Sequence, residues 1–229
     1  PISLTVIDVD GNTDSDTITI EALPRDGETY YVDSSIGDDS YDGKCQTVQG
    51  TCGPWRTASK VILEMDTDLY QPGDQILFNR GQTFELNAAI VPGIWPSWGY
   101  HVGAYGIGPK PKIRWMGEDG AIAIHMYSIG YAHVSFSDLD FLMESPTGNR
   151  AGFFFAQGGG TRNLLFNRIN VTDGYGFFTI GNYDEDDTST GFFFIDSSIV
   201  NTYIPDGMSD TLFAHWGSRL VLLDNYFDL

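Results

Sequence analysis

The chain has 229 residues, enough for one sizeable core and a small appendage. Asp and Glu total 31 against 12 Lys and Arg, and the formal charge of −19 repels nucleic acid and anionic membrane surfaces. No apolar run approaches the roughly 18 residues of a membrane span, and 27 glycines with 14% aromatics favour short strands and turns over helices.

Residues 1–23 open the chain with two alternating segments, Ile2–Val9 and Thr17–Leu23, around the turn residues Asp10, Gly11 and Asn12. Apolar–polar alternation around such a turn predicts a β-hairpin. The wording LTVIDVDGNTDSDTITIEA resembles the last two strands of a PKD domain, an immunoglobulin-like module, with its earlier strands missing. Asp8, Asp10, Asn12, Asp14 and Asp16 place oxygen donors at alternating positions, as a calcium loop does. Thr13 stands where an EF-hand carries Gly, and no Glu closes the loop, so an ordinary polar turn is the competing reading.

Residues 24–29 form a linker. Cys45 and Cys52 then lie in a polar loop without His or further Cys nearby. That spacing favours a local disulfide over a zinc site, with two free thiols as the alternative, and a disulfide belongs to an oxidising, extracellular setting. Thr57 is placed to cap a short helix whose Val61, Ile62 and Met65 share one face. Such a helix would cap the apolar end of a solenoid. Pro72, Gly73 and Asp74 make a turn before a strand through Ile76 and Phe78. The chain starts with Pro and shows no signal peptide, so a processed piece of a longer exported protein is expected.

The order YYVDSSIGDDSYDG, GPWRTASKV and PGDQILFNRGQTF, over residues 30–84, resembles the entrance of secreted right-handed parallel β-helix proteins of the pectin-lyase-like group. The resemblance implies a strand-loop, a cap helix and a first strand leading into coils. It is specific for fold and not for activity, because lyases, glycosidases and non-catalytic surface proteins share this entrance.

Residues 92–112 read as an irregular excursion carrying Trp95, Trp98, Tyr100, His101 and Tyr105. Aromatic faces there could stack on sugar rings, as could His215 and Trp216 later. The competing account folds these aromatics inward as a plug. Strands at 113–115 and 122–126 begin a coil.

From residue 133 a near-repeat returns four times, starting at His133, Asn163, Gly191 and Arg219. Its first apolar residues, Val134, Leu164, Phe192 and Leu220, are spaced by 30, 28 and 28. Phe136, Phe166, Phe194 and Leu222 form a second column, and Phe141, Val171, Ile199 and Phe227 a third. A constant period with β-branched and aromatic residues two apart predicts stacked parallel strands. The polar column Asp138, Arg168, Asp196 and Asp224 marks a corner, since Asp tolerates left-handed backbone. Arg168 between two Asp predicts a charge ladder.

A lyase acting on uronic acids needs a cation against the sugar carboxylate and a base. No Lys follows Lys112, and no complete Lys–Arg set is visible. A polygalacturonase-like order of Thr172-Asp173, Asp186-Asp187, His215 and Arg219 lacks its Asn, its Gly before His and its final Lys. The acidic run Asp184, Asp186 and Asp187 is a second candidate for calcium, the one cofactor the sequence suggests.

The expectation is an all-β chain: a PKD-type hairpin (1–23), a linker (24–29) and the N-terminal part of a right-handed single-stranded parallel β-helix with a cap helix (30–229). The expected function is an extracellular or cell-surface scaffold or adhesion protein contacting polysaccharide or other surface proteins. The alternative is a polysaccharide lyase or glycoside hydrolase whose groove lies partly beyond residue 229. The expected partners exclude nucleic acid and membrane insertion, and an open solenoid end allows end-to-end self-association.

Overall fold

The computed structural model describes residues 2–7, 13–18, 27–65, 69–90, 99–126, 133–156, 162–180, 190–203, 213–215 and 218–228. Two antiparallel strands, β1 (Ile2–Ile7) and β2 (Thr13–Ile18), pair from Ile2↔Ile18 to Ile7↔Thr13. The hairpin is there, but its second strand starts four residues before the expected Thr17. A five-residue connection is long enough to reverse the chain, so pairing resumes at Thr13 and takes in Asp14 and Asp16.

β3 (Thr29–Val32) leads to α1 (Ala58–Met65), β4 (Gln75–Asn79) and β5 (Thr83–Leu86). Four three-strand windings follow. They are β6 (His101–Tyr105), β7 (Lys112–Trp115) and β8 (Ala121–Met126); then β9 (Ser135–Ser137), β10 (Asp140–Leu142) and β11 (Ala151–Ala156). Next come β12 (Arg162–Asn167), β13 (Asn170–Thr172) and β14 (Tyr175–Ile180); then β15 (Thr190–Ile195), β16 (Ser198–Val200) and β17 (Phe213–His215). β18 (Ser218–Leu223) and β19 (Tyr226–Asp228) begin another winding. The strands fall into three sheets ordered β3-β4-β6-β9-β12-β15-β18, β5-β7-β10-β13-β16-β19 and β8-β11-β14-β17. Every pairing in these sheets is parallel. The chain is an all-β parallel β-solenoid.

The expected columns stack in register. Phe136 pairs with Phe166, Phe166 with Phe194, and Phe194 with Leu222. Phe141, Val171, Ile199 and Phe227 do the same on the second sheet. Phe136, Phe166 and Phe194 have no exposed surface. The rings of Phe136 and Phe166 stack 5.1 Å apart at 4°, and Phe153 meets Phe166 edge-on at 5.6 Å. These are favourable aromatic geometries, each worth about 0.5–1.5 kcal/mol beyond burial. On β18, the edge strand of its sheet, Leu220 and Leu222 keep 39% and 43% of their surface.

The corner falls where expected. Asp138, Arg168, Asp196 and Asp224 take φ of 58°, 53°, 47° and 52°. Two further left-handed columns turn the other corners: His133, Asn163 and Gly191, then Asp173 and Asn201. Arg168 grips Asp138 through Nε and Nη2, both at 2.8 Å, and Arg80 reaches the same carboxylate at 3.3 Å. The hydrogen bond from Arg168 holds the Asp138 carboxyl below its usual range, with the two guanidinium charges adding to the effect.

Residues 92–112 are not irregular throughout. His101–Tyr105 is a full strand of the first sheet, with Val102 facing inward in the Phe136 column. The abundance of Gly and Pro around it hides the alternation His-Val-Gly-Ala-Tyr.

At the N-terminal end, α1 is capped by Thr57, whose Oγ1 accepts the Lys60 amide at 3.1 Å. Asp39 adds bonds from the Arg56 and Thr57 amides at 2.8 and 3.0 Å. Ala58, Val61 and Met65 are buried in the common core, and Ile62 packs against it. Tyr30 stacks on Trp55 at 5.1 Å and meets Tyr70 edge-on. Cys45 and Cys52 form the expected disulfide.

Asp33 ties this end together. The residue is 3% exposed, and its carboxylate accepts Asn79 Nδ2 at 2.5 Å, Ser35 Oγ at 2.6 Å and Gln82 Nε2 at 2.9 Å. The Ser35 and Ile36 amides also donate to it, at 2.8 and 3.1 Å. Burial alone would raise its pKa, but the donors from Ser35, Gln82 and Asn79 outweigh that and bring it down to about 2.

Two outcomes follow from the corners and from Asp33. Asp196→Gly should be near neutral in urea denaturation. Asp196→Val places a β-branched residue at positive φ and should cost about 1–2 kcal/mol. Because the folded pKa of Asp33 lies below its unfolded value of about 3.9, its contribution is complete above roughly pH 4 and drains away as pH falls toward 2. The loss should total about 2–3 kcal/mol. Denaturation midpoints measured over that window should fall in the wild type and flatten in Asp33→Asn.

Candidate functional site

The interior is filled by apolar side chains, so any ligand must be met outside, where loops and outward residues of successive windings align. One such alignment crosses four windings. It joins Asp119 from the β7–β8 turn, Glu144 and Arg150 from the β10–β11 loop, Tyr175 at the start of β14, and Tyr203 just after β16.

Local structure fixes each position. Residues 145–149 form a tight turn in which the Ser145 amide donates to the Asn149 carbonyl and the Asn149 amide to Ser145 Oγ, at 2.8 and 3.0 Å. Asn149 Nδ2 ties this turn to the Gly117 carbonyl of the preceding winding at 3.2 Å. Glu144 and Arg150 face each other across an antiparallel bridge, and Arg150 Nη2 meets Glu144 Oε2 at 3.0 Å. Tyr175 and Tyr203 face each other across a parallel bridge between windings.

The side chains then converge. The Arg150 amide donates to Asp119 Oδ1 at 2.8 Å, and the Tyr175 hydroxyl donates to both Asp119 oxygens at 2.9 and 3.0 Å. The Arg150 guanidinium lies 5.4 Å from the centre of the Tyr203 ring, within cation–π range. The two tyrosine rings are 6.0 Å apart, and Tyr203 is 48% exposed. The Arg150 amide, then Tyr175, hold the Asp119 carboxyl below its usual range. The same bond to Asp119 raises the Tyr175 hydroxyl. Two carboxylates against one guanidinium leave the cluster net negative. Chemically it offers an aromatic face and fixed hydrogen-bonding groups to a hydroxyl-rich ligand.

Of the expected sugar-stacking residues, the structure describes the surroundings of Tyr100 and Tyr105. Tyr100 is only 9% exposed and stacks on Tyr70 at 6.5 Å, inside the core, so its face is not open to a sugar. Its neighbour in sequence, His101, points the other way, as strand alternation requires. Tyr105 stands against Tyr31 at 5.1 Å, and burial raises its hydroxyl, with the Asp33 charge adding. Trp95, Trp98 and Trp216 lie outside the described residues, and His215 is described only as part of β17. Of the expected calcium ligands, Asp14 is part of β2, and Asp8, Asp10, Asn12, Asp184, Asp186 and Asp187 lie outside the described residues. Among the described residues, no group of three or more His, Cys, Asp or Glu could hold a metal ion, and no helix is long and apolar enough to cross a membrane.

Sequence reasoning missed Tyr175 and Tyr203, although their separation of 28 equals the repeat step. That equality was the available signal.

No known protein family matches the chain, and no curated protein matches it. Among solved structures, a rhamnogalacturonan lyase is similar at 13% identity with a TM-score of 0.45, over 88% of this chain and 50% of that one. The chain thus spans about half the length of that protein. The assignment as a solenoid rests on the parallel ladders themselves.

Tyr175→Phe removes one of the donors to Asp119 while keeping the ring. Followed by carboxyl-carbon NMR, the Asp119 titration midpoint should move up toward the ordinary carboxylate range, whereas an unchanged midpoint would mean that the bond does not form in solution.

Proposed function

We propose that this chain is part of an extracellular parallel β-helix scaffold of the pectin-lyase-like group that binds polysaccharide along its outer surface. The observation that carries the reading is the pair Tyr175 and Tyr203 on adjacent windings, 6.0 Å apart, with Arg150 against the Tyr203 ring and Asp119 accepting the Tyr175 hydroxyl. Windings rise about 4.8 Å each, a step comparable to one pyranose unit, so a polymer lying along the axis meets these two rings with successive units. The local excess of carboxylate and the net charge of −19 favour a neutral glycan over a polyuronate. The disulfide supports an oxidising, extracellular location. In the same reading, α1 closes the N-terminal end of the coil, and the hairpin of residues 1–23 is the tail of a PKD module.

Affinity electrophoresis in native gels containing galactan, xylan, pectin or alginate tests this. The neutral polymers should retard the intact chain, and Tyr203→Ala should weaken retardation about tenfold, close to 1.4 kcal/mol. Absorbance from new unsaturated sugar ends should stay flat with pectin, alginate and chondroitin. A rise would replace the scaffold reading with a lyase, and equal mobility in every gel would remove polysaccharide binding.

A further inference from the structure

A second outer-face arrangement lies on the first sheet, away from the tyrosine ladder. Ser135 and Ser137 flank the buried Phe136 on β9, so both hydroxyls project outward. His101 on β6 stands in register with Ser135. Its Nδ1 lies 2.9 Å from Ser135 Oγ, and its Nε2 lies 3.2 Å from Ser137 Oγ. The imidazole therefore bridges two hydroxyls on the next winding. Gly103 makes room for it, since a Cβ there would come within 2.5 Å of Nε2. On the winding after, Asn167 stands in register with Ser137, and Leu165 with Ser135.

A neutral imidazole has one donor and one acceptor nitrogen. With Nδ1–H donating to Ser135 Oγ, Nε2 is left to accept the proton of Ser137. That is the ordering of an activated serine: nucleophile, base, and a third group that orients the base. Asn167, in register with Ser137 on the next winding, brings a carboxamide donor beside it.

We propose that Ser137 is a nucleophile activated by His101, and that this face hydrolyses small acyl esters such as the O-acetyl groups of sugars. Ser137 Oγ bonds to the ester carbonyl carbon as its proton passes to His101 Nε2, giving a tetrahedral oxyanion that Asn167 stabilises. The carbon–alkoxy bond then breaks, and the alcohol leaves with the proton from Nε2. Water adds to the acyl-serine with the same base, and its collapse releases the carboxylic acid and restores Ser137. No redox partner or metal enters this balance. Ser135 is a positioning residue, and Leu165 provides an apolar neighbour for the acyl group.

The test is labelling of the intact chain with a fluorophosphonate probe, located by peptide mass spectrometry, alongside hydrolysis of p-nitrophenyl acetate. The expected result is a single phosphonylated serine, Ser137. Ser137→Ala should abolish the label, and His101→Gln, which keeps a hydrogen-bonding side chain between the two serines, should reduce labelling and hydrolysis at least tenfold with an unchanged melting curve. Ser135→Ala should lower the labelling rate without moving the labelled position. Absence of label on Ser137 in the wild type, or equal labelling in His101→Gln, would overturn the proposal. The probe and p-nitrophenyl acetate contain no sugar, so failure here and failure of glycan binding are separate results.

Discussion

Every other feature of this chain depends on one constraint: each strand must find its hydrogen-bonding partner in the equivalent strand of the next winding. Backbone amides and carbonyls buried on both sides of a strand cannot be left unpaired. A repeat of 28 to 30 residues meets that requirement for three sheets at once, and it forces equivalent side chains into columns. The aromatic stack Phe136, Phe166 and Phe194 is the packing consequence, and the left-handed corners at Asp138, Arg168, Asp196 and Asp224 are its geometric cost. Side chains that tolerate positive φ, mostly Asp and Asn, keep that cost small.

The same constraint separates structure from chemistry. Inward positions are closed and dry, so function has to be written in outward positions, where column neighbours on adjacent windings meet a few ångströms apart. Polar residues there line up into short ladders: Arg80 and Arg168 on Asp138, Asn170 on Asp140, Ser198 on Asn170. Most of these are exposed or half-exposed pairs worth little individually. The Tyr175–Tyr203 group and the His101–Ser137 group differ because they combine a face or a base with groups able to act on a ligand. They also occupy different sheets, so the two proposals stand on separate faces.

The sequence carried the interior well and the exterior poorly, and the reason is physical. Apolar periodicity reports burial, so Val134, Phe136 and Phe141 and their later counterparts could be aligned without coordinates. Corner residues were legible only where Asp recurred. The second left-handed column, His133, Asn163 and Gly191, mixes residue types that share only their tolerance of positive φ. Outer sites were nearly invisible, because a winding brings together residues 28 or more apart whose types follow no apolar pattern. His101 and Ser135 are 34 residues apart and Asp119 and Tyr175 are 56 apart. Tyr100 shows the same limit: in an aromatic-, Gly- and Pro-rich stretch, sugar stacking and inward packing compete in the sequence, and the strand beginning at His101 turns Tyr100 into the core.

The in-register stacking is tested most directly by NMR on a sample deuterated except at its Phe, Val and Ile residues, through proton–proton contacts among Phe141, Val171 and Ile199. Parallel windings predict contacts linking α-protons of one strand to amide protons of the next, running from Phe141 to Val171 and from Val171 to Ile199, without close α–α pairs. Close α–α contacts between these residues, the signature of antiparallel neighbours, or no contact between them at all, would contradict the account.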